Sequence, residues 1–477
     1  MTGVEIAGLS ILSILVLIYS GLHVPVAFCL VSLVGVWAIK GSFAQASALL
    51  GMAASDAVAS YDFGVIPLFV LMGLLVSVAD LGRDAFLAAN ALLGRLRGGL
   101  GVATVAANAV FAAVTGVSIA SAAVFTKVAV PEMINLGYRP RFAVGVVAGS
   151  SVLGMLIPPS LLLIIYGLLS QQSIGDLFIA GIVPGLLLSL LFCIYIVLTA
   201  TFKPEGMFQS TTGAVSSAEM SLGQITKLLT PLIILAGLVI GGIYAGWFTA
   251  TESGAIGALG AFILAALRRK LSWQGLWKVL VETGQVTVAI LFVIIAANIY
   301  TRLIALSGLP NVLNEAVVAA NLGFIGLLLI YAFLIVLLGT ILDGVSIMLI
   351  MVPMFLPLLA PHNIDLIWFG IVTVVAVEIG LLTPPFGLSA FVIKSTLADS
   401  RISLARSSGA PHRLPSSWAC CCLPSSSSRL SLPCWCGSRG AQAGGTTGNT
   451  SSGGSAGSKC RVTRLLNTSA GRSSGQV

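Results

Sequence analysis

Two short clusters of glycine, hydroxyl and amide residues interrupt otherwise apolar sequence, and their residue types suit a hard monovalent cation. The first holds Thr115, Gly116, Ser118 and Ser121, with Asn108 upstream; the second holds Gly339, Thr340, Asp343, Gly344 and Ser346. Gly116-Val117-Ser118-Ile119 and Gly344-Val345-Ser346-Ile347 repeat the same order of residues. Each is followed by a double proline in a hydrophobic run, Ile157-Pro158-Pro159 and Thr383-Pro384-Pro385. Ser150, Ser151 and Ser160 flank the first run, and Gly387 and Ser389 follow the second. A cation such as Na⁺ takes several oxygens, many of them carbonyls. Helix segments opened by glycine or proline expose those carbonyls. The N-termini of the resulting half-helices offer N–H donors to an anionic substrate.

Each residue also has a plainer reading. Single Ser, Thr and Gly residues more often mark close packing of membrane helices. Their paired occurrence at matching places favours a binding role for Gly116, Ser118, Gly344 and Ser346. Asp343 puts a carboxylate in an apolar stretch, where charge is expensive and usually functional, but a helix cap is a second role for it. Glu378, in the last hydrophobic run, is either an intramembrane partner or an interfacial residue. His23, His362 and His412 are scattered and predict no transition-metal site.

The elements that carry these residues are membrane elements. Mean hydropathy is +1.05 and only 8% of residues are charged, far outside soluble usage. Apolar windows of about 17–25 residues, each long enough to cross a bilayer, recur along residues 1–400, in roughly ten to twelve elements. The N-terminus lacks a basic segment, so a retained first helix is expected rather than a cleaved signal. Residues 401–477 hold nine Arg or Lys and no Asp or Glu, so the net charge of +8 leaves −1 for residues 1–400. The basic balance therefore belongs to the tail and argues for no nucleic-acid partner; the expected surroundings are lipid.

The pattern divides the chain into a first repeat, 1–203, a polar linker, 204–226, a second repeat, 227–405, and a tail, 406–477. The first repeat has two helices over 4–39, a span at 64–79 and an amphipathic interfacial helix over 84–97. A hairpin at 100–136, a broken helix at 142–170 and a span at 177–202 complete it. The second has spans at 228–248, 254–267 and 285–301, a segment at 309–321, a hairpin at 323–360 and a broken helix at 364–394. Arg95, Arg97, Arg139 and Arg141 flank the first hairpin, whereas 321–323 and 361–365 around the second hold no Arg or Lys. Basic residues near span ends favour the cytoplasm, so the hairpins enter from opposite faces. Arg268, Arg269 and Lys270 agree with this orientation and Lys40 does not. The predicted fold is an all-α polytopic membrane protein, an inverted repeat with two re-entrant helical hairpins and broken helices.

Asp343-Gly344-Val345-Ser346-Ile347-Met348, Val352-Pro353 and Leu382-Thr383-Pro384-Pro385-Phe386-Gly387-Leu388 resemble signatures of the large membrane subunit of tripartite ATP-independent periplasmic (TRAP) transporters. Gly116 through Ala123 and Ile157-Pro158-Pro159-Ser160 resemble the other half, and the resemblance covers residues 1–405. It implies an elevator-type secondary transporter of the ion-transporter superfamily, in a bacterial inner membrane. It also implies Na⁺ as the coupling ion, no cofactor, and organic acids as cargo, such as C4-dicarboxylates or sialic acids. The implied partners are a small membrane subunit and a periplasmic substrate-binding protein. Carried over, the ion sites fall near Ser118, Ser121, Gly339, Asp343, Gly344, Ser346 and Thr383. The rival reading is a stand-alone Na⁺/carboxylate symporter. A membrane enzyme would need His, Asp or Glu clustered at one depth, which this chain lacks, and a non-transporting scaffold would not need broken helices in both halves.

The tail departs from that family, which ends in one more membrane helix. Here Arg406-Ser407-Ser408-Gly409-Ala410 opens a run rich in Ser, Cys, Arg and Gly. Cys420-Cys421-Cys422 and Cys434-Trp435-Cys436 match no zinc spacing. Shifted by one base, Cys codons become Leu, Met or Val, and Ser codons of the TCN type become Phe, Leu, Ile or Val. Residues 416–436 then conceal about twenty apolar residues, enough for one helix. The expectation is a one-base deletion near codon 405, with 406–477 disordered as written.

Overall fold

The computed structural model describes residues 2–59, 61–208, 220–319, 323–340, 342–359, 364–383 and 388–397. Among them the chain is α-helical, with no strand beyond one isolated bridge between Tyr138 and Phe208. The first half runs α1 (Gly3–Tyr19), α2 (Val24–Lys40), α3 (Phe43–Ala59), α4 (Val65–Val78) and α5 (Leu81–Leu93). It continues through α6 (Gly99–Thr115), α7 (Ser118–Asn135), α8 (Pro140–Ser151), α9 (Leu153–Leu156), α10 (Leu161–Ser170), α11 (Ile174–Phe202) and α12 (Pro204–Met207). The second half has α13 (Leu222–Tyr244), α14 (Ala250–Leu267), α15 (Trp273–Ser307) and α16 (Leu309–Ala319). It ends with α17 (Phe324–Gly339), α18 (Gly344–Leu359), α19 (Leu366–Leu382) and α20 (Leu388–Leu397).

Local chemistry sets many of these boundaries. Capping boxes start α1 at Thr2 with Glu5 and α14 at Thr249 with Glu252. Gly41, in the left-handed region at φ 69°, ends α2. A residue before proline is pushed out of helical geometry. Ile157 (ψ 125°) and Thr383 (ψ 131°), the C-caps of α9 and α19, are both extended for that reason. Ser160 then caps α10, its hydroxyl accepting from the Leu163 N–H at 3.3 Å.

Among the described residues, five elements are long and apolar enough to cross a bilayer: Pro140–Ser170 taken as one, α11, α13, α14 and α15. The apolar window of Pro140–Ser170 is 89% buried, against 22% for α11, so the broken element lies inside the molecule and α11 on its outside. The arms α6, α7, α17 and α18 have 17, 18, 16 and 16 residues. At 1.5 Å per residue they reach about 24–27 Å, short of the ~30 Å hydrocarbon core.

The two halves pack reciprocally. Matching α1, α2, α4, α5, α6, α7, α8–α9 and α10 with α13 through α20 in order, contacts come in mirrored pairs. α2 packs on α15 as α14 packs on α4. α10 packs on α18 and α19, as α20 packs on α7 and α8. α16 meets α1 as α5 meets α13. This interlock puts each half's broken helix against the other half's hairpin.

Some expectations shift. α3 was not expected from hydropathy; its Ala-rich, less apolar sequence hides it. The interfacial helix expected over 84–97 starts earlier and stops at Leu93, before Arg95 and Arg97, with Gly94 as its cap. Its apolar side, with Ala85, Phe86 and Ala88, is buried where it packs on α6, α7 and α13. α4 and α5 meet at a bend of 62°. α12 and the start of α13 lie within the span 204–226, and the tail 406–477 lies outside the described residues.

Candidate functional site

The first tip is a tight turn. Gly116 ends α6 at φ 66°, Val117 is extended, and Ser118 opens α7 with no side-chain cap. A Cβ on Gly116 would stand 2.2 Å from the Pro159 carbonyl oxygen, so only glycine fits. The Leu161 N–H donates to the Gly116 carbonyl at 3.1 Å, fastening the tip to the broken helix of its own half. Gly154 lies under the start of α7, where an added Cβ would meet the Ser118 Cα at 3.1 Å.

Behind this tip a polar bridge crosses three helices. The Asn108 amide on α6 donates to the Ser150 hydroxyl on α8 at 2.8 Å, and the Ser121 hydroxyl on α7 donates to the Asn108 carbonyl. All three residues are buried. A satisfied network of this kind fixes the spacing of the hairpin arms and the broken helix. The Thr115 and Ser151 hydroxyls bond back to Phe111 and Ala148 of their own helices, and Ser160 donates to the Met155 carbonyl.

The second tip is built differently. Gly344 opens α18 and Ser346 lies in its first turn, so the shared Gly-Val-Ser-Ile motif is shifted against the helix start. Asp343 accepts from the Ser346 N–H at 3.2 Å and from the Ser346 hydroxyl, which is the capping arrangement. Both carboxylate oxygens keep lone pairs for a further partner. Thr340 and Thr383 bond back to the Leu337 and Ile379 carbonyls at 2.7 and 2.6 Å. A Cβ on Gly339 would stand 2.6 Å from the Gly380 Cα, so α17 and α19 touch backbone to backbone. Around Gly344 lie Val377 and Leu381 of its own half and Leu162 of the other.

Each tip thus meets both broken helices, and at the first tip the visitor from the other half is Glu378. It is 0% exposed, and the Ser118 hydroxyl faces its carboxyl. Neither carboxyl oxygen, nor the Ser118 hydroxyl, has a well-formed hydrogen bond among the described residues. Burial of a carboxyl without partners is costly. Sequence reading left Glu378 unassigned; the available signal was a carboxylate one turn before Thr383-Pro384-Pro385. Pro158 and Pro159 are buried in the first break. Pro384, Pro385 and Gly387 lie outside the described residues.

The profile of the family described as tripartite ATP-independent periplasmic transporter, DctM component, matches residues 11–407. The C4-dicarboxylate TRAP transporter large permease protein DctM of Pseudomonas aeruginosa is 35% identical over 333 residues, 70% of this chain and 77% of that protein. The sialic acid TRAP transporter large permease protein SiaM of Vibrio cholerae is 32% identical over 332 residues, 69% and 76% of the two chains. Among solved structures, the Alcanivorax borkumensis YdaH transporter overlaps 73% of this chain and 82% of its own, at 14% identity and a TM-score of 0.48.

Proposed function

The chain belongs to the DctM component family of tripartite ATP-independent periplasmic transporters, and from that premise we propose that it is the translocation subunit of a Na⁺-coupled importer of organic acids, not an enzyme. The reciprocal packing of broken helices on opposite hairpins carries this reading. Such an interlock brings freed main-chain groups of both halves to one place, as transport sites between inverted repeats require. The charge asymmetry around the hairpins supports opposite orientations of the halves and a bacterial inner-membrane location. The hairpins and broken helices carry ion and solute, and the remaining helices form the scaffold.

The oxygens of Ser118, Ser121, Asp343 and Ser346, with main-chain carbonyls at Gly116, Gly339, Gly344 and Thr383, are the proposed Na⁺ ligands. Solute carboxylates fall to half-helix N-termini beside the two breaks. Two relatives named for C4-dicarboxylates and sialic acid support a carboxylate as cargo. A small membrane subunit and a periplasmic binding protein complete the machine. Residues 406–477 we read as the product of a one-base deletion; the family match ends at residue 407, which supports this. Resequencing that finds an intact frame with no apolar alternative would refute it.

The test is uptake of labelled succinate into proteoliposomes holding this chain and its small membrane subunit. Accumulation is expected only with an inward Na⁺ gradient and a periplasmic binding protein present. Uptake without the binding protein would identify a stand-alone symporter, and uptake indifferent to Na⁺ would remove the coupling.

A further inference from the structure

We propose that the cleft between α8 and α11 binds one anionic phospholipid, its phosphate on Arg141 and an acyl chain along Gly145 and Gly149. α8 and α11 both pack on α6 but touch each other little, which leaves a cavity of about 400 Å³ between them. Arg141, Gly145 and Gly149 of α8 line one wall, and Phe192 and Tyr195 of α11 line the other. The spacing makes a track. The three α8 residues are four apart, so they share one helix face, and at 1.5 Å per residue they run about 12 Å along it. A Cβ on Gly145 would meet nothing within 4 Å, although Val144 and Val146 beside it are buried. A Cβ on Gly149 would only touch the Phe192 ring, at 3.6 Å. The floor is therefore open at Gly145 and walled by an aromatic ring beyond it, which suits a flexible hydrocarbon. Arg141, Gly145 and Tyr195 are exposed, so the cleft opens on the outer side of the molecule, where α11 lies.

Charge selects the headgroup. Arg141 is the second residue of α8, at the end where Arg139 donates to the Phe208 carbonyl at 3.2 Å and Lys203 closes α11. Among the described residues no carboxylate pairs with any of these three; the ion pairs are those of Arg268, Lys270 and Arg302. With Glu205 exposed on α12, this corner holds three bases against one acid. Bases near the membrane surface attract anionic lipid, and basic pockets between membrane helices hold anionic headgroups. The guanidinium fork takes two phosphate oxygens at once. The repeat itself does not demand such a cleft. Counted from each helix start, α19 has Ile367 and Ile371 where α8 has Arg141 and Gly145.

The test reads lipid binding on the purified full chain without transport, so it stands or falls apart from the import reading. In native mass spectrometry with equal phosphatidylglycerol and phosphatidylcholine, the chain should retain one phosphatidylglycerol. Arg141→Gln should weaken that adduct about fivefold, the share of one base near the membrane surface. Gly145→Leu should remove it, and Lys270→Gln, at a base on another helix, should leave it unchanged. A photoactivatable phosphatidylglycerol should crosslink the wild-type chain within residues 141–149 and 192–196, which covers the case of a misfolded variant. Crosslinks spread evenly over the outer helices, or an unchanged lipid preference in Arg141→Gln, would overturn the proposal. Displacement of the adduct by inorganic phosphate alone would assign the cleft to a soluble anion and overturn it as well.

Discussion

At Gly116 a single hydrogen decides whether the hairpin tip can rest on the first helix break. Alanine there costs about 1–2 kcal/mol for the left-handed backbone alone, before the clash with the Pro159 carbonyl is relieved. Gly116→Ala is therefore expected to lower the thermal midpoint in detergent and abolish uptake. Asp343 poses a different question, because its carboxylate both caps α18 and is a candidate cation ligand. Asn keeps the capping oxygen and removes the charge, whereas Ala removes both, at about 1 kcal/mol for the lost cap. Melting and Na⁺ titration of the two variants separate the roles. Asp343→Asn should melt near wild type yet need several-fold more Na⁺, and an unchanged Na⁺ requirement would leave Asp343 as a cap only.

Between elements, two ion pairs tie the end of α14 to the start of α5. Arg268 pairs with Asp84 at 25% and 15% side-chain exposure, and Lys270 pairs with Asp80 at 54% and 51%. Exposed pairs contribute little, while breaking a buried pair strands a charge. Arg268→Ala should cost about 1–3 kcal/mol and Lys270→Ala under about 1 kcal/mol, read from melting of the two variants. The same division between local and distant causes explains what sequence could reveal. Gly116 and Pro158 act on backbone within a few residues, so the turns and breaks were readable where they stand. The bridge of Asn108, Ser121 and Ser150 and the burial of Glu378 arise from contacts between segments distant in sequence, which periodicity does not encode. The motif shift between Ser118 and Ser346 was hidden for another reason: identical letters do not fix where a helix begins, and Asp343 supplies a cap that Val117 cannot.

Across the whole molecule, the account stands on two halves that interlock and face opposite sides of the membrane. The interlock is seen in the mirrored contacts of α10 with α18 and α20 with α7; the opposite facing follows from charge. Single cysteines placed near Gly116 and near Asp343, in a background without Cys29, Cys193 and the tail cysteines, report that facing directly. A membrane-impermeant maleimide applied to right-side-out and inside-out vesicles should label the two tips from opposite faces. Labelling of both tips from the same face would contradict the inverted arrangement, and with it the transport mechanism.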